Sequence, residues 1–297
     1  MSSPPETPSA DVRSRTWATV TAYPLLLVVV AGSCTGAIMA RLDLERMLIV
    51  FFLAVITILC GLERIMPYRS QWRPTGREVG RDALYFVQGM FFGGLAQVLT
   101  GATAIALATE ENSLPLWIAA PLAVVLMDLS TYAFHRFVHV NGWMWREHGI
   151  HHLPGKVNTL NSNTAHFLDI LGNNLMAYAP LLLMGFSAES VFVASIARLV
   201  QTLGVHANID VRVGWLRHFI MTPQHHRMHH SVDPEQAGNY GTVLTLWDRV
   251  FGTLRGETEP VKQVGVLEDA AFPAPERILA CARHPFAPER PVASPTP

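Results

Sequence analysis

Histidine is strongly clustered in this chain of 297 residues. Nine of the thirteen histidines fall into two short runs, one from His135 to His152 and one from His225 to His230. A neutral imidazole nitrogen is the commonest protein ligand for transition metals. The clustering therefore predicts a metal centre built mainly from imidazoles.

Within the two runs, eight histidines form three motifs with helical spacing. His135 and His139 are four residues apart, which places both rings on one face of a helix. The other two motifs share the pattern H-x-x-H-H, as His148-Gly-Ile-His151-His152 and His226-Arg-Met-His229-His230. Adjacent residues diverge by about 100 degrees around a helix axis. The last two histidines of each motif are therefore expected to serve two different ions.

The elements that position these motifs are apolar. Half of the residues are hydrophobic, 15% are charged and the mean hydropathy is +0.25, which favours lipid over water as the surrounding solvent. We predict membrane-spanning helices near residues 17–39, 47–62, 82–108 and 115–134. The apolar region 168–205, interrupted by Pro180 and Gly185, predicts a hairpin of two shorter helices, either re-entrant or fully spanning. A buried core of a soluble protein is the alternative interpretation.

Arginines predict the orientation of these helices. The segment between the second and third spans carries five of them, whereas residues 109–114 have none, so the arginine-rich side is expected to be cytoplasmic. Four spans then place the amino terminus and the chain after residue 135 on that side. A returning hairpin keeps both histidine runs on the same side. It also brings His206 to the level of these runs, so His206 is expected to be a ninth ligand. The arginines are Arg64, Arg69, Arg73, Arg77 and Arg81.

Nine imidazoles are more than one ion holds, and they predict two ions with about four ligands each. Imidazole suits iron, zinc, copper and nickel, but zinc has no redox chemistry. Two Fe(II) ions supply two electrons to O2 and produce an oxidant strong enough for an unactivated C–H bond. A redox-active centre at the mouth of an apolar bundle suits a substrate whose chain lies in the membrane. We therefore expect two irons that act on a lipid-like substrate. The expected ligands are His135, His139, His148, His151, His152, His206, His226, His229 and His230.

Other residues around the motifs have weaker assignments. Asp128 and Asp248 are candidates to orient ligating imidazoles, although each is equally consistent with a helix cap or an ion pair. His225 and His218 lie outside the motif spacing, and their role stays open. His166 and His284 are not expected to be ligands. Thr222-Pro223 before the last motif predicts an N-cap followed by proline at the first helical position.

Composition also restricts the partners. A net charge of −1 gives no basic field for binding nucleic acid. Cys34, Cys60 and Cys281 are far apart and predict neither a disulfide framework nor a thiolate metal site. The sequence has no G-x-G-x-x-G fingerprint and no haem-domain pattern. The two reducing electrons are therefore expected from a separate donor of ferredoxin or cytochrome type with its reductase.

Two other functions compete with an O2-dependent hydroxylase or desaturase. A non-catalytic membrane protein that binds or carries metal predicts histidines along the spans, because ionisable groups within a membrane mark ion pathways. Here the histidines gather at the ends of spans and beyond. A structural zinc site needs only about four ligands. Both features favour the enzyme, and hydroxylation and desaturation stay open because both begin with hydrogen abstraction.

The three motifs together resemble the fatty acid hydroxylase and sterol desaturase superfamily, whose pattern is H-x-x-x-H, H-x-x-H-H and H-x-x-H-H. Thr222-Pro223, Asn239-Tyr240-Gly241 and residues 246–253 are also similar to the family signature, and the resemblance covers about residues 115–255. It implies that the motif histidines ligate a di-metal centre and that the substrate is a sterol, fatty acyl chain, ceramide, ether lipid or carotenoid-like molecule. Residues 161–169 depart from the Arg-x-His-Pro-like sequence that relatives more often have.

These observations predict an all-α integral-membrane protein. About four transmembrane helices plus a helical hairpin form a bundle, capped by a cytosolic histidine-rich di-metal domain. The expected division is a disordered amino terminus over 1–14, transmembrane helices over 15–114, a catalytic domain over 115–255, and a carboxyl-terminal extension over 256–297 with a proline-rich flexible tail.

Overall fold

A computed structural model describes residues 17–107, 109–256, 260–267 and 272–288. Within those residues the chain is helical, with isolated bridges in place of a sheet. The predicted disorder of residues 1–14 concerns a segment outside the described residues. The helices are α1 Trp17–Met39, α2 Leu44–Ile65, α3 Gly76–Ala106, α4 Leu116–Val140, α5 Gly142–His152, α6 Phe167–Leu183, α7 Ala188–His206, α8 Pro223–His229, α9 Leu246–Val250 and α10 Ile278–Arg283.

Five of these helices, α1 to α4 and α7, are long and apolar enough to cross a membrane. The first four coincide with the four predicted spans. Their outward faces carry large apolar side chains, such as Val28 and Val98, each 68% exposed, and Ile105, 82% exposed. Such faces are stable against lipid and unfavourable against water. The predicted helical membrane bundle is thus confirmed, and the chain is a multi-pass membrane protein.

Short polar residues determine where several helices begin. Asp43 accepts a hydrogen bond from the Arg46 backbone N–H and caps α2. Thr75 and Glu78 form a reciprocal capping box at the start of α3. Asn141 both ends α4 and caps α5. This shared residue leaves no loop between the helices that carry the first two histidine motifs.

The predicted hairpin is present as α6 and α7, but Pro180 does not interrupt it. Helix α6 continues beyond Pro180 to Leu183, and the chain reverses at Gly185, which has φ +70°. A proline removes one hydrogen bond, to the carbonyl four residues before it, and the residues after it still form the last turn of α6. At the tip, the Asn112 backbone N–H donates to the Gly185 carbonyl at 2.7 Å. The hairpin therefore extends as far as the loop that joins α3 to α4.

Helix α7 belongs to two apolar cores, one with α1 and α2 and the other with α4 and α6. Gly204 gives the Tyr23 ring room, since a Cβ at this position would lie 2.4 Å from the tyrosine oxygen. The Tyr23 hydroxyl donates to Gln201 at 2.7 Å. The Gln201 amide in turn donates to the carbonyls of Met221 and Val243. Helix α7 thus connects the spans to the loops around α8.

The arginine-rich segment between α2 and α3 lies at the same end of the bundle as the histidine motifs. The Tyr68 backbone N–H donates to the Asn208 carbonyl at 3.1 Å, just after α7. Lys156, just after α5, forms an ion pair with Glu78 at 2.9 Å. The arginines and the histidines therefore share one side, whereas the identity of that side stays a prediction.

Residues 272–288 pack against α5, although their proline content predicted a flexible tail. The Arg146 guanidinium donates to the carbonyls of His284 and Ala287 at 2.7 and 2.6 Å. The Phe272 ring occupies the space beside Gly149, and Cys281 is buried. Apolar anchors and one arginine thus hold this segment. The rest of the predicted tail, 289–297, lies outside the described residues.

Replacing Gly185 by alanine is expected to destabilise the protein. The left-handed conformation costs an L-residue roughly 1–2 kcal/mol, and the added Cβ would lie 1.9 Å from the Glu110 carbonyl oxygen. The measurement is the temperature at which the detergent-solubilised protein loses its monodisperse peak. Gly94→Ala in α3 is the matched control, because nothing lies within 4 Å of its added Cβ. Equal temperatures for the two variants would contradict this account of the hairpin tip.

Candidate metal centre

Four helices present the predicted ligands at one end of the bundle. His135 and His139 lie in the last turns of α4, and the second motif ends α5. His206 is the last residue of α7. The third motif is on α8, which begins with Thr222 as N-cap and Pro223 at the first position, as its sequence indicated.

The nine histidines form two adjoining groups, and within each group the candidate ligand nitrogens lie within 4.8 Å of one another. His151 and His152 fall into different groups, as do His229 and His230. Their role as ligands stays a prediction. The five-histidine group is His135, His139, His148, His152 and His229, and the four-histidine group is His151, His206, His226 and His230.

Distances between ring nitrogens fit binding to a common ion. The Nε2 atoms of His135 and His148 lie 3.1 Å apart. The Nε2 atom of His226 lies 2.7 Å from that of His206 and 3.1 Å from that of His230. Two nitrogens about 2.1 Å from one ion and at right angles to each other are about 3 Å apart. A metal ion in each group therefore fits this donor set.

Buried ring nitrogens without partners support the same interpretation. The Nε2 atoms of His139 and His229 have no hydrogen-bond partner within the described chain. A buried polar atom left without a partner costs roughly 1–3 kcal/mol. A coordinated cation would remove this cost, because each lone pair would then bind the ion.

Four imidazoles are fixed in orientation through Nδ1. In each case Nδ1–H donates to an oxygen, which leaves Nε2 as the lone-pair nitrogen that faces the group. The acceptors are the Tyr240 carbonyl for His135 at 2.7 Å, the Asp169 carboxylate for His148 at 3.1 Å, the Thr164 carbonyl for His151 at 3.1 Å, and the Gly238 carbonyl for His229 at 2.8 Å.

Burial favours the uncharged form of His151, His152, His229 and His230. It lowers the pKa of His151 to about 4, with the neighbouring His148 adding to the effect. Burial likewise holds the pKa values of His152, His229 and His230 well below the ordinary histidine range. A metal binds the neutral ring, so no proton has to be displaced at neutral pH.

Asp128 and Asp248 act on the histidines indirectly, through the backbone of residues 240–244. Asp128 accepts the backbone N–H groups of residues 242, 243 and 244. Asp248 accepts those of Tyr240 and Gly241 at 2.8 and 2.7 Å. Neither carboxylate touches an imidazole. Together they hold the loop whose Tyr240 carbonyl accepts the His135 proton.

A carboxylate that does touch one of the nine imidazoles, Asp169, was missed by the sequence reasoning. It is a buried acid in the first turn of α6, and its Oδ2 accepts the proton of His148 Nδ1. The helix that carries it begins at Phe167, and the His166 side chain before it accepts the Leu168 backbone N–H as the N-cap. The sequence did contain a signal for this role. Asp169 is an acid at the start of an otherwise apolar helix, and it lies in the segment 161–169 that departs from the family pattern.

The remaining histidines lie outside both groups. His225 is buried and its Nδ1 lies 3.1 Å from the Thr222 hydroxyl. His218 is exposed. His166 caps α6, and the His284 carbonyl accepts from Arg146 in the segment packed on α5. None of these four therefore joins the described centre.

A cavity of about 130 Å³ opens onto both histidine groups between α6 and α7. Ring edges of His135 and His148 line it from one group, and His151, His206 and His226 line it from the other. A small molecule in this cavity would therefore contact both groups at once.

A multi-pass helical bundle that ends in two groups of buried imidazoles, with a cavity open to both, defines a histidine-rich membrane protein with two candidate metal sites. The sequence matches the fatty acid hydroxylase family over residues 120–253. The chain therefore contains a fatty acid hydroxylase domain, and the curated relatives it matches belong to the fatty acid hydroxylase and sterol desaturase superfamily. This confirms the resemblance that the histidine motifs indicated.

Curated relatives are enzymes that oxidise lipids. Ornithine lipid hydroxylase OlsE of Rhizobium tropici is 28% identical over 263 residues, which is 83% of this chain and 79% of that protein. Alkylglycerol monooxygenase of Danio rerio is 32% identical over 47% of this chain but only 31% of its own length. Methylsterol monooxygenase 1 of Rattus norvegicus is 27% identical over 48% of this chain and 49% of its own. No solved structure matches the chain significantly.

Replacing Asp169 by asparagine is expected to weaken metal binding by roughly 10- to 100-fold, because His148 loses the carboxylate that orients it. Metal retained by the purified protein during dialysis against a graded chelator series measures the effect. Asp233→Asn, in an exposed loop, is the control and should retain metal like the parent. Unchanged retention in Asp169→Asn would remove this residue from the centre.

Proposed function

We propose that the protein is an O2-dependent di-iron oxidoreductase that hydroxylates a lipid at the membrane interface, with desaturation as a variant of the same chemistry. The observation that carries the proposal is the pair of adjoining imidazole groups, five and four residues, at the mouth of an apolar bundle. The relatives' names, a hydroxylase and two monooxygenases, favour hydroxylation.

In this proposal the nine histidines would hold two iron ions. Bound iron would supply redox chemistry for O2 activation, which zinc in the same ligand set does not, and the two electrons consumed would come from a separate donor. One C–H bond is broken and one C–O bond is formed. One oxygen atom of O2 enters the product, and the other leaves as water with two electrons and two protons. The chain itself contributes oriented neutral rings and a buried site.

The substrate is proposed to be a lipid whose chains stay among the membrane helices while the reacting part enters the cavity. The exposed apolar faces of α1 to α3 and the lipid substrates named for the relatives support this class. Residues 115–255 would then form the catalytic domain and residues 15–114 the membrane anchor. The arginine-rich side, with the histidines, would face the cytoplasm.

A non-catalytic carrier is the alternative function. A carrier needs ligands placed along a path, so that an ion moves from one to the next across the bundle. Here the nine rings lie together at one end of the described helices. This arrangement favours reaction at a fixed site over transport.

Replacing His151 or His229 by alanine is expected to abolish lipid oxidation, because each change removes a ring from a different group. Membrane insertion should be unchanged, since both residues lie beyond the apolar spans. The parent should contain about two irons per chain and each variant less. Elemental analysis of the detergent-purified protein and product analysis by mass spectrometry are the measurements.

His218→Ala is the control, because this exposed histidine belongs to neither group. It should retain iron, and it should retain turnover with dithionite as a small reductant, which does not need the donor cleft that His218 borders. Full activity in His151→Ala and His229→Ala would refute the enzyme proposal. Bound iron without any O2-dependent product from membrane lipids would favour the carrier.

The electrons are proposed to come from a separate acidic protein of ferredoxin or cytochrome type. A cleft of about 750 Å³ borders α8 on the face opposite the histidine groups, with Gln224 and Arg227 of that helix in its wall. Its exposed rim includes Arg212, Arg217 and Arg249, and Asp210 is the acid in its lining. A positive surface this close to the ligands suits an acidic donor.

Reversing the charge at Arg217, as Arg217→Glu, is expected to lower the rate with an acidic protein donor by about tenfold at low salt, through slower association. The rate with dithionite as a small reductant should not change. Arg77→Glu, at an exposed position outside the cleft, is the matched control. An equal loss in both variants, or no loss in either, would exclude this cleft as the docking site.

A further inference from the structure

Eight of the eleven non-histidine residues that line the cavity have polar side chains, although carbon atoms form the larger part of its exposed wall. Only a few apolar side chains, Ala165, Ile170 and Val205, join them. Polar groups that face a bound hydrocarbon lose their hydrogen bonds to water without replacement, which is unfavourable. The lining therefore suits a polar part of a substrate. The polar residues are Ser162, Asn163, Asp169, Asn173, Asn174, Arg198, Thr202 and Thr242.

Arg198 is the cation of this lining, and it lies in the middle of α7. Its guanidinium donates to the amide oxygen of Asn173 at 2.5 Å and to that of Asn174 at 3.3 Å. Neither amide carries a charge, and no carboxylate of the described residues forms an ion pair with Arg198. An arginine within a membrane helix is costly without an anion, and such residues mark functional sites.

Packing and hydrogen bonds fix the asparagines around Arg198. Asn163 and Asn174 approach α3 at Gly89 and Gly93, where an added Cβ would lie 3.3 and 3.7 Å from the amide atoms. The Asn174 amide also donates to the Ile170 carbonyl at 2.8 Å. Asn173 and Asn174 therefore hold the guanidinium while its other N–H groups stay available for a ligand, since arginine carries five donors.

Arg198 and the histidines line the same small cavity. Asn173 lies one turn, about 6 Å along α6, beyond Asp169, which orients His148. Arg198, Thr202 and His206 recur every four residues on one face of α7, and all three line the cavity. A group bound to Arg198 would therefore place carbons only a few bonds away from it next to the histidine groups.

We propose that Arg198, held by Asn173 and Asn174, binds the acidic headgroup of the lipid substrate, so that the oxidised carbon lies in or next to the headgroup. This inference rests on the proposed function. A guanidinium binds a carboxylate and a phosphate through the same paired hydrogen bonds, so the ligand chemistry is an oxyanion. The reaction is the same hydroxylation, in which one oxygen atom enters the C–H bond and the other leaves as water, with two electrons from the external donor.

Binding is tested with the iron-loaded protein in nanodiscs. Three lipids with identical acyl chains are compared by native mass spectrometry: an N-acyl amino acid, a phosphatidic acid and a diacylglycerol. The parent should bind at least one acidic lipid about tenfold or more tightly than the neutral one, and the preferred acid identifies the oxyanion. Arg198→Gln should lose the preference with its iron content unchanged, and Arg198→Lys should keep part of it.

Arg212→Gln is the matched control, because this exposed arginine lies in the cleft outside the cavity. It should bind all three lipids like the parent. Equal affinity of the parent for acidic and neutral lipids would overturn the inference, as would an unchanged preference in Arg198→Gln. Both results are read from binding alone, so they do not depend on turnover.

The site of oxidation is tested by turnover under 18O2, with fragmentation of the product in the mass spectrometer. The label is expected in the headgroup fragment or within the first few carbons next to it. Label in the distal acyl chain would overturn the inference and leave the oxygenase proposal standing. Absence of labelled product from every lipid, together with absence of iron, would instead refute the proposed function.

Discussion

Nine imidazole rings packed around a candidate metal centre need their lone pairs directed inward and their N–H groups directed outward. The surrounding chain meets this need for four of the nine rings. Carbonyls of residues 164, 238 and 240 and one carboxylate accept the outward protons. Asp128 and Asp248 in turn hold the loop that supplies one of those carbonyls. The site therefore depends on backbone geometry as much as on the histidines.

Helix α7 connects this polar centre to the membrane. It packs in both apolar cores, and Gln201 joins it to α1 and to the loops on either side of α8. The same helix ends in His206 and carries Arg198 into the cavity. A shift of α7 would thus change the spans, the ligand set and the cavity together, which explains why its packing uses small residues such as Gly204.

Much of this arrangement could be predicted from the sequence because it depends on local periodicity. Helical spacing indicated the histidine motifs, and length and apolarity indicated the spans. Asp169 could not be predicted in the same way, since it meets His148 across 21 residues of sequence through the packing of α6 on α5. Packing also decides what Pro180 and the segment 272–288 do. Their composition predicted a break and a flexible tail, but tertiary contacts stabilise both as ordered structure.

The shared residue Asn141 has a consequence for biosynthesis. Because α5 follows α4 without a loop, four of the five rings of one group are in place on a single helical corner by residue 152. The other group has one ring at that point and waits for α7 and α8 to supply the remaining three. During synthesis on the ribosome, the two groups are therefore completed at different times. The five-histidine group has four of its rings before the hairpin is made, whereas the four-histidine group is complete only after residue 230.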